Sequence, residues 1–424
     1  MIRSCWFLPG FSRFLLSREI CERLICINLT KYTNKQSNVD KCAYACENIE
    51  EFFMKSEQKP LVAVAMSGGV DSSVAAALLQ EQGYPLVGMT MRLPESSDLT
   101  RSDESASPVT LSPAYIADAR LVAEKLGIPH IVVDVRQVFQ EQIVSYFCAE
   151  YRAGRTPNPC VVCNPQIKFG VLFEHAQKFG AHLLATGHYV QKIYRQETRR
   201  YALQRSDHTA KDQSYFLYRL TQEQLAQAIF PLARFAKAAI RQKARELDLC
   251  HVAEKADSQE NCFLAGQRYQ EFLDNYLPSG DTLPGPIVDT SGQIIGEHQG
   301  IHHYTIGQRR GLGIALGAPR YVVAIHPETR TVVVGEHHEL FSRKFWVTDL
   351  HLMAIERVST PLSVQVKIRY RNAATPAAIF PGDREDGVLV VLEQPQRAVT
   401  PGQSAVFYDG DLILGGGIIT REPS

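Results

Sequence analysis

Several things are missing from this chain of 424 residues, and each absence narrows what it can be. No apolar run is longer than a strand needs, whereas a membrane-spanning helix takes about 20 apolar residues, so no membrane span is expected. Net charge is absent too, with 45 lysines and arginines against 45 aspartates and glutamates. Bulk charge therefore neither calls for a polyanionic partner nor excludes one, and local clusters must decide. Four such clusters stand out: "YRAGR" (151–155), "RQETRR" (195–200), "GQRRGLG" (307–313) and "KIRYRN" (367–372). There is no convincing secretory leader, which argues for a reducing, cytoplasmic setting. In that setting cysteines at special spacings are catalytic or metal-bound rather than disulfide-linked. There is no second C-x-x-C to complete a structural zinc site and no internal repeat.

What is present is too long for one core, and two or three domains are expected. Residues 1–58 are basic and weakly amphipathic, then polar, and five of the ten cysteines fall within them. Glu19 and Glu22 count against an organelle-targeting segment, and Met54 would be a natural start, so an extension outside the fold is expected. Between 60 and 190 candidate strands (60–66, 85–93, 129–135, 182–188) alternate with candidate helices (71–82, 114–127, 136–152, 167–179). That alternation predicts a parallel sheet covered on both faces, with ligands at the carboxyl ends of the strands. The polar stretch 94–113 is expected to be a long loop, a possible lid. The pattern turns helical from 221 to about 250, and after about 280 short β-rich runs with Gly and Pro dominate. The tail reads as a small antiparallel barrel.

Chemistry concentrates first at "VAVAMSGGVDSS" (62–73), a glycine-rich turn between a strand and a helix. It has the look of a phosphate loop but lacks the lysine of G-x-x-x-x-G-K-[ST]. The glycines allow close backbone approach, the helix start favours an anion, and Ser67, Ser72 and Ser73 offer hydroxyls. Asp71 has the hard oxygen donors that magnesium takes. Chemistry concentrates again at "GRTPNPCVVCNPQIKFG" (154–170) and "DSQENCFLAG" (257–266). Cys160 and Cys163 form a C-x-x-C that is expected to precede a helix, and Cys163 near a helix start would have a lowered thiol pKa. Cys262 follows 99 residues later, while Cys148 and Cys250 are expected to be core residues.

The loop resembles the PP-loop pyrophosphatase signature S-G-G-x-D-S, whose bearers cleave ATP between the α- and β-phosphates. Pyrophosphate then leaves on the loop and the substrate is adenylylated, which removes the need for a γ-phosphate lysine. With "ATGHY" (185–189), "KDQSYFLY" (211–218), "GEHQG" (296–300), "TIGQRRGLG" (305–313) and "TPGQSAVFYDGDLILGGGII" (400–419), the chain from about 60 onward resembles the tRNA-specific 2-thiouridylase family. The resemblance implies a parallel-sheet PP-loop domain (59–265), a small central domain (266–342) and a C-terminal antiparallel β-barrel (343–424). It implies ATP and Mg2+, with ATP contacts at Ala65, Met66, Ser67, Gly68, Gly69, Val70, Asp71, Ser72, Met91 and Gly187. It makes Cys163 the nucleophile and Cys262 the persulfide carrier, closing a Cys163–Cys262 disulfide late in the cycle. It places Asn158, Pro159 and Cys160 at the target base. It places His188, Lys211, Asp212, Gln213, Arg369, Tyr370 and Gln403 on tRNA. A sulfur-donor protein is the other implied partner. Some members carry aspartate where Cys160 stands, which leaves a general-base role there open. Two alternatives also stay open: an iron–sulfur cluster on Cys160, Cys163 and Cys262, and an RNA-binding module without catalysis.

Overall fold

The computed structural model describes residues 59–94, 113–208, 211–256, 261–264, 266–278, 282–314, 317–382 and 387–421. The expected extension at 1–58 and all but the ends of the polar loop at 94–113 lie outside the described residues. Five parallel strands form the first sheet: β1 (Val62–Ala65), β2 (Leu86–Arg92), β3 (His130–Asp134), β4 (Leu183–Ala185) and, later in the chain, β7 (Ala228–Ile229). Their order is β3-β2-β1-β4-β7. β1 is central and covered on both faces, with Val62, Ala63 and Val64 fully buried, so its sequence is a continuous apolar run. The order of the strands reverses beside β1, and a crevice at such a point is where open α/β sheets bind ligands.

Helices α1 (Val70–Glu81) and α2 (Ala114–Leu126) follow β1 and β2. Two longer helical segments follow, α3 (136–152) and α4 (159–178), and each widens partway to π-helical turns, at Gln140–Val144 and Asn164–Leu172. Pro165 has no N–H to give to the regular ladder, which accounts for the second widening. Gln224, in α5 (Gln222–Gln227), donates to the Pro165 and Phe169 carbonyls at 2.8 and 3.3 Å and so braces that stretch. Helices α6 (Lys237–Glu246), α7 (Cys250–Ala253) and α8 (Tyr269–Tyr276) complete the helical set used below. The region from 221 to 250 carries α5 and α6 as expected, but "AI" at 228–229 is drawn into the sheet by β4 and residues 230–236 form a turn rather than helix.

A second, four-stranded sheet has the order β10 (Tyr321–His326), β11 (Thr331–Gly335), β8 (Gly285–Asp289), β9 (Ile294–His298). The third is antiparallel and closes on itself. It joins β12 (Phe341–Leu352), β15 (Val388–Arg397), β14 (Thr375–Pro381), β13 (Leu362–Lys367), β16 (Ser404–Asp409) and β17 (Leu412–Thr420), and β17 pairs back with β12. Closure leaves no unpaired edge among these six strands. A hairpin of β5 (Val190–Arg195) and β6 (Arg200–Arg205), absent from the sequence reading, joins this sheet through Leu412 and Gln204. The segment 211–218 is the joint between barrel and parallel sheet. Tyr215 and Tyr218 are fully buried and donate to the carbonyl and the hydroxyl of Ser404, while the Ser214 and Tyr408 hydroxyls meet at 3.1 Å.

Candidate active site

At the carboxyl end of β1, Ser67, Gly68 and Gly69 turn the chain into α1, and no side chain caps the start of that helix. Its first N–H groups and dipole are available to an anion. Gly68 has φ +67°, and a side chain there would collide with the Tyr115 carbonyl. Gly187, after β4, brings a second loop against the first: a Cβ would stand 2.7 Å from the Ser72 nitrogen. The Ser67 and Ser72 hydroxyls lie 3.3 Å apart at the turn. Ser73 is fully buried with its hydroxyl on the Gly69 carbonyl at 2.9 Å, so it serves the turn and is not the ligand donor expected from the sequence.

The missing cation is supplied from elsewhere in the chain. Lys237, the first residue of α6, ion-pairs with both Asp71 oxygens at 2.8 Å, and the Tyr189 hydroxyl donates to Asp71 at 2.6 Å. Lys255 donates to the Gly68 carbonyl at 3.2 Å and to Asp118 at 2.7 Å. Sequence reasoning missed both lysines, since neither belongs to a local motif. An uncapped helix start, a left-handed glycine, two hydroxyls and two ammonium groups fit a polyphosphate.

The loop opens into a cavity of about 1840 Å³ that also holds the cysteines. Ala65, Met66, Ser67, Gly68, Gly69, Val70, Asp71, Ser72, Met91 and Gly187 line one end. Asn158, Pro159, Cys160, Cys163, Cys262 and His188 line the other, with Lys211, Asp212, Gln213 and Tyr370 on the same wall system. The expected lowering of the Cys163 pKa is overturned. Helix α4 begins at Pro159, so the C-x-x-C lies inside it, and Cys163 sits a turn in with 8 % exposure. Burial pushes its thiol up to about 12; the Lys168 ammonium opposes this, and Cys262 and Cys160 add to it. Cys262 is raised to about 11 by burial and by Cys160, again against Lys168. Water reaches Cys160 and Cys262 through the cavity, yet protein surrounds them on most sides, so both thiols are raised despite that exposure. His188, whose Nδ1 lies 2.7 Å from the Thr186 hydroxyl, is held well below the usual imidazole range by burial and by Lys168, and is neutral.

Two expected tRNA contacts do not line the cavity. Arg369 donates to the Ala398 carbonyl and, at 2.7 Å, to the Thr400 hydroxyl. Gln403 donates to the Thr156 and Pro157 carbonyls at 2.9 and 3.2 Å, clamping the loop that leads into the C-x-x-C. Asp212 is 3 % exposed and accepts from the Ser206 and Ser214 amides and the Ser214 hydroxyl, while Gln213 accepts from the Tyr189 amide. Cys148 is a core residue as expected, but Cys250 is exposed at the start of α7. Among the described residues one group has metal-ligand character, Asp274 with His302 and His303. Both imidazole Nε2 atoms lie 2.7–2.8 Å from the same Asp274 oxygen. Those are hydrogen-bond lengths, shorter than the roughly 3.3 Å edge of a tetrahedron with zinc–nitrogen arms of about 2.0–2.1 Å.

Sheet order, phosphate turn and thiol-lined cavity define an ATP-binding enzyme of the PP-loop class with two β-rich domains appended. Family models match in series: "tRNA methyl transferase HUP domain" at 60–266, "tRNA methyl transferase PRC-barrel domain" at 270–336 and "Aminomethyltransferase beta-barrel domain" at 342–419. The tRNA-specific 2-thiouridylase MnmA of Acetivibrio thermocellus is 47 % identical over 363 residues, 85 % of this chain and 99 % of the relative. The protein of that name from Heliobacterium modesticaldum is 45 % identical over 364 residues, 86 % of this chain and 93 % of the relative. Among solved structures, NMN synthetase from Francisella tularensis aligns with a TM-score of 0.29 and 18 % identity, over 55 % of this chain and 84 % of that one. The chain belongs to the tRNA-specific 2-thiouridylase family.

Proposed function

We propose that this chain converts the wobble uridine of tRNA to 2-thiouridine by adenylylating the uracil 2-oxygen and then delivering sulfur from a cysteine persulfide. One observation carries the reading. The chain is neutral overall, yet the cavity that holds both the phosphate loop and the cysteine pair is lined by eight lysines and arginines and only two aspartates. Such a field suits two polyanions, ATP and tRNA.

The 2-oxygen attacks the α-phosphorus, and pyrophosphate leaves onto the loop, where the start of α1 and Lys237 and Lys255 receive its charge. A bound magnesium ion would neutralise phosphate charge. Asp71 would hold it, once Lys237 turns from that carboxylate to the phosphates. Phe216 and Tyr370, with ring centroids 4.4 Å apart in the cavity wall, offer a stacking surface to a base withdrawn from the anticodon stack. A donor persulfide passes its outer sulfur to Cys262 and departs as a thiolate. The Cys262 persulfide sulfur attacks uracil C2 and AMP leaves with the oxygen. Cys163 then attacks Sγ of Cys262, the sulfur–sulfur bond breaks, and its electron pair stays with the sulfur on C2. Release of hydrosulfide by Cys163 before attack on C2 gives the same Cys163–Cys262 disulfide. A dithiol reductant supplies two electrons to reopen it, which suits a reducing, cytoplasmic compartment.

The domain models carry methyl-transfer names, so the test must tell thiolation from methylation. Purified protein is incubated with tRNA, ATP, magnesium and a persulfide donor, and the nucleosides are read by mass spectrometry. The expected result is 2-thiouridine with AMP and pyrophosphate in equal amounts. A methylated nucleoside, or ADP and phosphate as the stoichiometric products, overturns the proposal. Absorbance near 400 nm in anaerobic protein, lost together with activity, would replace the persulfide route by the cluster route.

A further inference from the structure

Of the lysines and arginines that line the cavity and that none of these steps uses, one acts on the cysteines. Lys168 lies in the π-helical stretch of α4, half-buried, with its side chain in the cavity wall. Among the described residues nothing hydrogen-bonds or ion-pairs with its ammonium. Leaving a cation partly desolvated without a counter-charge is costly, so the arrangement awaits an anion. In a π-helical turn residue i+5 stands over residue i, which puts Lys168 one turn above Cys163. Helical side chains lean toward the N-terminus, so the long Lys168 side chain runs back toward Cys163 and Cys160. Gln224 fixes the carbonyls on both sides of it, at Pro165 and Phe169. Lys237 and Lys255 are bonded at the phosphate loop, whereas the field of Lys168 falls on Cys160, Cys163, Cys262 and His188.

We infer that the Lys168 ammonium is the shared counter-ion of the three-thiol pocket, stabilising the sulfur anion wherever it resides among Cys262, its persulfide and Cys163. Lys168 offsets charge and transfers no atom. The inference rests on the sulfur-transfer reading above. It accounts for how thiols pushed up by burial can serve as nucleophiles: one cation faces all of them. It also specifies the ligand class of this end of the cavity, a soft sulfur anion rather than a second phosphate.

The test compares wild type, Lys168→Met and Lys168→Arg. Alkylation of Cys262 and Cys163 by iodoacetamide is followed from pH 6 to 10 and resolved by mass spectrometry. AMP formation and single-turnover transfer from persulfide-loaded enzyme are measured in parallel. An opposite charge within about 4–6 Å moves a pKa by about 1–3 units, so Lys168→Met should slow alkylation about tenfold or more at pH 8. Its profile should move to higher pH, sulfur transfer should slow at least as much, AMP formation should persist, and Lys168→Arg should restore most of both losses. An unchanged alkylation profile, or a folded Lys168→Arg that restores nothing, would overturn the inference. Loss of AMP formation in folded Lys168→Met would assign the charge to the nucleotide instead and equally overturn it. Should Lys168→Met not fold, Lys168→Gln is read by the same assays. If wild type makes AMP but no 2-thiouridine, the sulfur-transfer reading fails, while the alkylation profile still decides on Lys168.

Discussion

The nucleotide end of the cavity centres on one run of residues, 65–72, whose backbone and short polar side chains meet within a single strand-to-helix turn, with Gly187, Lys237 and Lys255 added from elsewhere. The thiol end brings together Cys163 and Cys262 from 99 residues apart, with Lys168 from the helix of Cys163 and His188 from a further segment. The first end is polar and works through fixed dipoles and ammonium groups. The second is walled by protein on most sides, and burial raises the pKa of every one of its thiols. The contrast suits the two halves of the chemistry. Phosphoryl charge is permanent and needs a cradle, whereas a sulfur nucleophile must stay protonated until it is wanted.

The most severe way to break the comparison is to damage the thiol end alone. Cys163→Ser and Cys262→Ser should each abolish 2-thiouridine formation and leave AMP formation intact. Radiolabelled sulfur should be absent from Cys262→Ser and trapped on Cys163→Ser under non-reducing conditions. Label persisting on Cys262→Ser would move the carrier to another residue. The reciprocal damage is Asp71→Ala, which removes the partner of Lys237 and Tyr189. Adenylylation should fall by about 10²–10³, the usual loss when one charge-stabilising group leaves an active site, while persulfide loading of Cys262 persists. Joint loss of both activities in either experiment would mean that the two ends are not separable. A smaller effect is expected at the clamp. Gln403→Ala removes two hydrogen bonds to the Thr156 and Pro157 carbonyls, each worth about 0.5–1.5 kcal/mol net. Denaturant unfolding should show a loss of about 1–3 kcal/mol, and a change within error would make the clamp incidental.

The same contrast explains what could be read in the sequence. The β1–turn–α1 unit was legible because strand, glycines and hydroxyls are contiguous and each acts through local geometry. The barrel was legible from its alternating strands and turn residues. Strand β7 was not, because Ala228 and Ile229 follow a helical pattern and become a strand only when β4 offers a partner. The β5–β6 hairpin escaped because its residues, "VQKIYR" and "RYALQR", carry so much charge. The expectation for Cys163 had the wrong electrostatics. Proximity to a helix start is visible in sequence, whereas the depth of burial that outweighs it is a tertiary property. Lys237, Lys255 and Lys168 look like ordinary solvated lysines until the fold sets them along the cavity.

The smallest expected effect separates the two ends by pH. His130 on β3 lies under the phosphate loop: its Nε2 is 2.8 Å from the Thr90 hydroxyl, which donates to the Met66 carbonyl at 2.9 Å. Thr90 has one proton and gives it to Met66, so His130 Nε2 carries hydrogen and the ring is neutral. Burial, then Arg120, lowers the His130 pKa from 6.5 to about 4. Between those values the unfolded chain binds more protons than the folded one, so stability falls as pH falls. The contribution of His130 is complete above about 6.5 and is lost progressively down to about 4. His130→Gln cannot titrate, so the gap in melting temperature between wild type and variant should narrow from pH 7 to pH 5. Other lowered histidines, such as His298 and His302, titrate in both proteins and cancel in that difference. A gap that stays constant with pH would sink the prediction. Over the same range the raised thiols remain protonated, so alkylation of Cys262 at pH 5 should stay as slow in the variant as in wild type. Acid thus reaches the footing of the nucleotide loop first, and only alkali reaches the sulfur end.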